Sequence, residues 1–221
     1  MDTLSTPAVK SLVDHLFVDA ERTDTPIRAE LAGLSAEERA HFMDEAKRDY
    51  RGFYGRAKDL YLPVSRATAE LLYLLARARG ARHVVEFGTS FGISTVHLAS
   101  AVRDNGGGRV IGSELLPEKA ARARENLRLA GLADLVDVRE GDALESLARD
   151  LPDAIDLVLL DGAKPLYAPV LALLRPRLAP GAVLVADNAD DAPDYLTLVR
   201  DRSRGYASMP FADDVELTVV L

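Results

Sequence analysis

Two short stretches of the sequence place oxygen donors directly after an apolar run. VLLDGAKP, residues 158–165, ends its run at Asp161, and Lys164 follows three residues later. VADNADD, residues 185–191, ends its run at Asp187 and Asn188. Carboxylate and amide oxygens suit Mg²⁺, Mn²⁺ or Ca²⁺ and not zinc. If the two runs are neighbouring parallel strands, these oxygens lie together and predict a divalent-cation site.

A simpler interpretation of the same residues stays open. Asp161 could be a polar strand terminus, and Asp187 or Asn188 could cap the following helix. Lys164 could be an exposed lysine at a helix start. The chain has only five lysines among 27 basic residues. Lysine can release its proton in a protein whereas arginine cannot, so the lysine beside the acids is chemically informative.

A glycine turn follows an earlier apolar run. In VVEFGTSFGIS, residues 84–94, Gly88 and Gly92 flank a tight turn into a predicted helix. A dinucleotide fingerprint needs a glycine in the middle of such a turn, so that the backbone can approach a pyrophosphate. Ser90 stands there instead, and Glu86 precedes the turn. The pattern therefore argues against NAD and favours a cofactor that carries an ammonium group and no phosphate.

Two further acids end predicted strands. Glu114 follows RVIGS and is suited to accept hydrogen bonds from a ribose diol. Asp142 lies in EGDAL, where it could reach an adenine edge. A glycine turn with these two acids predicts a nucleoside that has an amino-acid tail, which describes S-adenosylmethionine. Alternatively, Glu114 is a solvated acid, Asp142 caps the next helix, or the protein binds a nucleoside without transferring a group.

The elements that must position these residues alternate from about residue 82 onward. Strands are predicted over 83–88, 109–114, 135–142, 155–161 and 182–187, with helices over 93–102, 117–132, 165–181 and 194–203. Such alternation predicts a parallel sheet covered on both faces, and ligands of such sheets bind beyond the carboxyl ends of the strands. YASMPF and VELTVVL predict a closing antiparallel hairpin.

The first part of the chain has helical patterns over 5–20, 35–51 and 63–79 and no strand pattern. We predict an N-terminal helical lid or dimerisation region over 1–60 and a cofactor-binding domain over 61–221. RDYRGFYGRAKDLY, residues 48–61, concentrates four aromatic residues. They are predicted to pack onto the sheet domain, and the functional alternative is an aromatic wall over a flat substrate.

Composition limits the classes of function. The 221 residues include no cysteine, which excludes thiol catalysis and cysteine zinc sites and fits a reducing compartment. The net charge of −8 argues against a nucleic-acid partner. No apolar run approaches a membrane span, and the first residues lack a secretory pattern. We therefore expect a cytoplasmic protein with no membrane partner.

Over about residues 60–221 the chain resembles class I S-adenosylmethionine-dependent methyltransferases. The motifs are VVEFGTSFGISTVHLA, SELLPEKAARARENL, GDALESL, VLLDGAK and VADNA. The last two are specific to the metal-dependent catechol and caffeoyl-CoA O-methyltransferases. The resemblance implies a Rossmann-like, doubly wound α/β fold with a mostly parallel seven-stranded sheet and a C-terminal antiparallel hairpin, and commonly a homodimer.

The resemblance also implies roles for individual residues. Lys164 would be the catalytic base, and Asp161, Asp187 and Asn188 would bind Mg²⁺, Mn²⁺ or Ca²⁺. The predicted cofactor contacts are Glu86, Gly88, Ser90, Gly92, Ser94, Glu114, Asp142, Ala143 and Asp161.

The chain departs from the family pattern between the acid and the lysine. The caffeoyl-CoA enzymes carry a second acid where Ala163 stands, and the catechol enzymes carry bulky rings where Gly162 and Ala163 stand. The wall that packs on the substrate ring must then come from Tyr167 or the lid aromatics. Glu216 aligns only loosely with a substrate-binding acid of the catechol enzymes, and a strand-edge acid is the favoured interpretation.

We predict a metal-dependent O-methyltransferase that acts on a small phenolic substrate with a catechol-like or other vicinal-hydroxyl arrangement. Two other functions remain open at this level. One is a methyltransferase for hydroxylated uridines of tRNA, and the other is a metal-independent methyltransferase for small molecules.

Overall fold

The computed structural model of the protein describes residues 2–212 and 214–221, without the side chains of residues 36, 39, 40 and 43. Its strands are β1 (His83–Phe87), β2 (Arg109–Glu114), β3 (Val136–Glu140), β4 (Ile155–Leu160), β5 (Leu178–Ala186), β6 (Tyr206–Phe211) and β7 (Val215–Val220). They form one sheet in the order β3-β2-β1-β4-β5-β7-β6. The first five strands are parallel, and β7 and β6 are antiparallel. The predicted fold class is confirmed.

The α-helices are α1 (Pro7–Ala32), α2 (Ala36–Arg48), α3 (Tyr50–Arg56), α4 (Arg66–Arg79), α5 (Ile93–Asp104), α6 (Pro117–Leu129), α7 (Ala143–Ser146), α8 (Tyr167–Leu174) and α9 (Pro193–Val199). Local sequence explains several of the helix ends. Ser35 and Glu38 form a reciprocal capping box at the start of α2. Gly80 ends α4 with a φ of 64°, a conformation that glycine adopts without strain. None of the described helices is both long and apolar enough to cross a membrane.

Several predicted helix boundaries are wrong. The helix predicted over 165–181 is only α8, because Pro176 cannot donate to the helix ladder and Leu178 already pairs with β4. The helix predicted over 35–51 breaks at Asp49, whose carboxylate accepts from the Gly52 amide and starts α3. The helix predicted over 5–20 continues to Ala32, through Pro26.

Two apolar layers enclose the sheet. In β4 the side chains alternate between them: Leu157 and Leu159 pack with α4, α5 and α6, whereas Val158 and Leu160 pack with α7, α8 and α9. All four side chains are fully buried. A strand covered on both faces reads as a continuous apolar run, which explains the sequence ahead of Asp161.

Helix α1 packs against α5 and α6 and contributes Val9 to the same apolar layer as α4 and α5. It also contributes Leu16 and Phe17 to a smaller cluster that contains Tyr61 and Phe91. The N-terminal helices are therefore joined to the sheet by a shared core. The division into segments 1–60 and 61–221 stays a prediction.

The linker 60–62, between α3 and α4, is fixed by buried charges. The fully buried Asp24 carboxylate of α1 accepts from the Tyr61 and Leu62 amides at 2.9 and 2.8 Å. Lys119 of α6 donates to the Leu60 carbonyl at 2.6 Å. Leu62 is held with a φ of 46°, which a leucine rarely adopts. The anchor at Asp24 holds the part of α1 that extends beyond its predicted end.

Replacing Asp24 by alanine should lower the free energy of unfolding by about 2–4 kcal/mol, because two backbone amides in this sheltered linker lose their acceptor. Urea denaturation followed by circular dichroism measures this change. Asp14→Ala is the matched control, since Asp14 is half exposed in a surface pair with Arg66, and it should cost under about 1 kcal/mol. Equal urea midpoints for the two variants would contradict the anchoring role.

Candidate functional site

The carboxyl ends of the parallel strands meet at one edge of the sheet, where the residues after β1 and β4 are in close contact. Gly88 follows β1 with a φ of 99°, and a Cβ atom there would lie 2.4 Å from the Asp161 carbonyl oxygen. The Asp161 amide donates to the Phe87 carbonyl at 2.8 Å. Glycine is therefore required at position 88 both by its backbone angle and by the space available.

A cleft opens above this contact, and we call it the glycine-turn cleft. Six of the nine predicted cofactor-contacting residues line it: Gly88, Ser90, Glu114, Asp142, Ala143 and Asp161. About 630 Å³ of space in it, part of which is open to solvent, holds no atom. Ser94 lines a smaller neighbouring pocket. Glu86 and Gly92 are outside the residues described as lining either space.

Glu86 lies beneath the turn and is fully buried. Its carboxylate accepts from the hydroxyls of Thr89, Ser94 and Thr95 at 2.5–2.9 Å. Burial raises its pKa, and the three hydroxyl hydrogen bonds oppose that rise. In this structure Glu86 and Ser94 hold the turn together from inside, so their predicted contact with a cofactor stays a prediction.

Glu114 ends β2 at the wall of the cleft. Its two oxygens accept from the Ser90 amide at 2.7 Å and from the Leu116 amide at 2.9 Å. Ser90 has a φ of 47°, which lies in the left-handed region. Each carboxylate oxygen can accept a second hydrogen bond, so Glu114 can still receive a diol.

Asp142 caps α7, as the simpler interpretation proposed. One oxygen accepts from the Leu144 amide at 2.9 Å. The other accepts from the Tyr50 hydroxyl at 2.6 Å and from the Arg51 guanidinium at 2.7 Å. The hydrogen bond to Asp142 raises the pKa of Tyr50. The hydrogen bonds of Asp142 with Tyr50 and Arg51, which we call the latch, therefore hold α3 over the glycine-turn cleft. Tyr50 and Tyr54 line that cleft.

The chemistry-bearing residues lie together at the ends of β4 and β5. The Lys164 amine is 3.6 Å from an Asp161 oxygen, and both side chains are at most 13% exposed. The Asp187 amide donates to the Leu160 carbonyl at 3.0 Å, which fixes the end of β5 beside that of β4. Asn188 has a φ of 47°, and its amide nitrogen donates to Asp214, so its oxygen is the atom left for a ligand.

The two carboxylates at this edge are largely shielded from solvent. Burial raises the pKa of Asp161 well above its ordinary value, Lys164 opposes this rise, and Asp187 adds to it. Burial likewise raises the pKa of Asp187. No group of three His, Cys, Asp or Glu side chains that could hold a metal occurs in the described chain. The predicted set instead has two carboxylates and an amide, an all-oxygen combination that suits Mg²⁺.

A second concavity, the lysine cavity, lies on the other side of Asp161. Its lining includes Leu31, Phe53, Tyr54, Leu62, Lys164 and Asn188. Asp161, Tyr54 and Leu62 line both this cavity and the glycine-turn cleft. The two spaces therefore meet at the carboxylate beside the lysine, where a group could pass between two bound molecules.

The unusual Gly162 has a packing explanation. A Cβ atom at this position would lie 2.4 Å from the Phe87 ring. Tyr167 is fully buried and lies below the site, so the expectation that it forms a substrate wall is wrong. The lid aromatics Phe53 and Tyr54 line the lysine cavity instead.

Glu216 is not a strand-edge acid, because β7 lies between β5 and β6 and the carboxylate pairs with Arg200 through two hydrogen bonds.

Lys119 lines the glycine-turn cleft but was not predicted from the sequence as a site residue. It is 3% exposed and donates to the Ser90 hydroxyl at 3.3 Å, and burial lowers its pKa. Its position after Glu114, in a chain with few lysines, was the available signal.

The chain is similar in sequence and structure to known methyltransferases. A family model described as a methyltransferase domain matches residues 85–189. The catechol O-methyltransferase of Mycobacterium tuberculosis is 39% identical over 127 residues, covering 58% of this chain and 57% of that protein. That of Sus scrofa is 32% identical over 155 residues, covering 66% and 82%.

A solved O-methyltransferase from Streptomyces achromogenes, in complex with S-adenosylmethionine, has a TM-score of 0.65 and 28% identity, covering 91% of this chain and 98% of that one. The match spans only 53–58% of the length of three curated catechol O-methyltransferases. The longer match to the Sus scrofa protein and the motifs at the strand ends nevertheless agree on one family. The chain belongs to the class I S-adenosylmethionine-dependent O-methyltransferases of the catechol and caffeoyl-CoA type.

Proposed function

We propose that this protein transfers a methyl group from S-adenosylmethionine to a hydroxyl of a small aromatic acceptor with vicinal hydroxyls, and that transfer requires a divalent cation. The observation that carries the proposal is the meeting of the glycine-turn cleft and the lysine cavity at Asp161. Methyl transfer needs the donor and the acceptor oxygen to be held in line, which two adjoining spaces permit.

The glycine-turn cleft supplies donors and acceptors for the nucleoside. Glu114 can accept hydrogen bonds from the ribose diol while it keeps the turn in place through the Ser90 amide. The latch between Asp142, Tyr50 and Arg51 closes α3 over the cleft. A closed lid excludes water, which favours attack by the acceptor over hydrolysis.

The lysine cavity supplies the acceptor side. Phe53, Tyr54 and Leu62 offer apolar surface to a flat ring. Lys164, when it carries no proton, can take the proton of the attacking hydroxyl. Asp161, Asp187 and Asn188 would hold a divalent cation, which when bound lowers the pKa of a hydroxyl coordinated to it. The names of the relatives, catechol O-methyltransferases and the tricin synthase of Oryza sativa, support a phenolic acceptor.

A homodimer and a cytoplasmic location are further proposals that rest on the resemblance and the composition. The dimer is supported by apolar side chains exposed along the β6–β7 hairpin, namely Met209, Phe211 and Val219. Light scattering at micromolar concentration tests it.

Replacing Lys164 by methionine should lower the methylation rate of a catechol by at least about 100-fold, because the proton acceptor is lost and the apolar stem is kept. Mass spectrometry of the methylated product measures the rate. Calorimetric affinity for S-adenosylmethionine should stay within about twofold. Lys10→Met, at an exposed lysine far from the site, is the control. An unchanged rate for Lys164→Met would refute the proposed mechanism.

Removal of divalent cations should abolish transfer, because the hydroxyl would keep its ordinary acidity. The protein is treated with a chelator, dialysed, and assayed with and without added Mg²⁺ by product mass. Full recovery after Mg²⁺ is the expected result. Transfer that persists at the original rate in the chelator would establish metal-independent chemistry instead.

Replacing Arg51 by methionine should loosen the latch over the glycine-turn cleft. Because Arg51 is 62% exposed, we expect S-adenosylmethionine to dissociate only about two- to fivefold faster. Stopped-flow displacement measures the rate constant. Arg48→Met removes an exposed arginine that pairs within α2, and it should leave dissociation unchanged. Equal rates in both variants would show that the latch does not hold the lid.

A further inference from the structure

The Tyr167 hydroxyl links the lysine to the end of β5. It accepts a hydrogen bond from the Lys164 amine at 2.8 Å and donates one to the Asp187 carbonyl at 2.8 Å. The same amine lies 5.1 Å from the centre of the Tyr167 ring. The three groups form a continuous chain beneath the meeting point of the two cavities.

The direction of each hydrogen bond follows from the number of protons. A phenol has one proton, and the Asp187 carbonyl can only accept, so the proton of Tyr167 is committed to that carbonyl. The hydroxyl must then act as an acceptor toward Lys164. A neutral amine has two N–H bonds and one lone pair. When one N–H is held by Tyr167, the lone pair is restricted to the remaining directions.

The position of the hydroxyl is set by the core. Tyr167 is fully buried, and its ring packs edge-on against Phe87 at 6.2 Å and against Tyr195 at 5.8 Å between centroids. The Lys164 side chain, in contrast, has four rotatable carbon bonds and starts a short 3-10 turn, Lys164–Leu166. A rigid acceptor below a flexible amine restricts where that amine can lie.

We propose that Tyr167 is a positioning residue that holds the Lys164 amine at the edge of the lysine cavity and ties it to the end of β5. The inference rests on the proposed function, because it assigns no role to Tyr167 apart from Lys164. This role explains why residue 167, which is fully buried and does not reach the substrate, has a polar hydroxyl.

Tyr167→Phe removes the hydroxyl and keeps the ring. We expect kcat for methylation of a catechol to fall about 10- to 100-fold, since misplacement of a catalytic group by about an ångström has effects of this size. The KM and the calorimetric Kd for S-adenosylmethionine should stay within about twofold, and the melting temperature should change by only a few degrees.

Tyr206→Phe is the matched control. Tyr206 is also fully buried in the same apolar layer, and its hydroxyl makes no hydrogen bond to the described residues. Removing a buried hydroxyl without a partner is nearly neutral or stabilising, so this variant should keep the full kcat.

A double variant separates positioning from a structural effect. In the Lys164→Met background the Tyr167→Phe change should have no further effect on the residual rate, because there is no amine left to position. An equal loss in both backgrounds, or parallel losses of kcat, cofactor affinity and melting temperature, would overturn the inference. If Lys164→Met is inactive, a Tyr167→Phe enzyme that is as active as Tyr206→Phe would also overturn the inference. An active Lys164→Met enzyme would instead refute the proposed role of Lys164 as the base, on which the inference rests.

Discussion

The close approach of two strand ends, Gly88 after β1 and Asp161 after β4, is the contact on which the site depends. The Asp161 amide is bonded to the Phe87 carbonyl, and the Asp161 carbonyl lies where any side chain at position 88 would have to be. This contact places a carboxylate whose side chain is only 10% exposed directly beside the glycine turn. Asp161 is therefore among the residues that line both the cleft and the cavity, so that molecules bound in the two spaces would lie next to each other.

Buried charges connect this edge to the N-terminal helices. Asp24 and Lys119 fix the linker 60–62 from opposite sides, and Leu62 reaches both the cleft and the cavity. At the far end of the cleft, Asp142 holds α3 through Tyr50 and Arg51. The buried Asp24 and Lys119 favour this arrangement of the N-terminal helices, because other arrangements would leave them without these partners.

Much of the fold could be read from the sequence. The strands were predicted to within a few residues because apolar runs covered on both faces are continuous, and the acids at their ends mark where burial stops. The break after α8 was missed although Pro176 signals it. The length of α1 could not be predicted, because the Asp24 anchor that supports it joins amides 37 and 38 residues away.

The sequence by itself determined which residue types stand at the carboxyl ends of the strands, and hence that Glu114, Asp161, Asp187 and Lys164 share one edge. The carboxyl ends of parallel strands lie at one edge of a sheet, so this conclusion does not depend on the exact strand bounds. Only the tertiary structure decided which atoms of the predicted site residues are free to bind a ligand. Glu86 is enclosed by three hydroxyls, Asp142 by the lid, and Lys164 rests on a tyrosine from the core. The reason is physical: a carboxylate or an amine binds whichever complementary group lies within about 3 Å, and that group can come from anywhere along the chain.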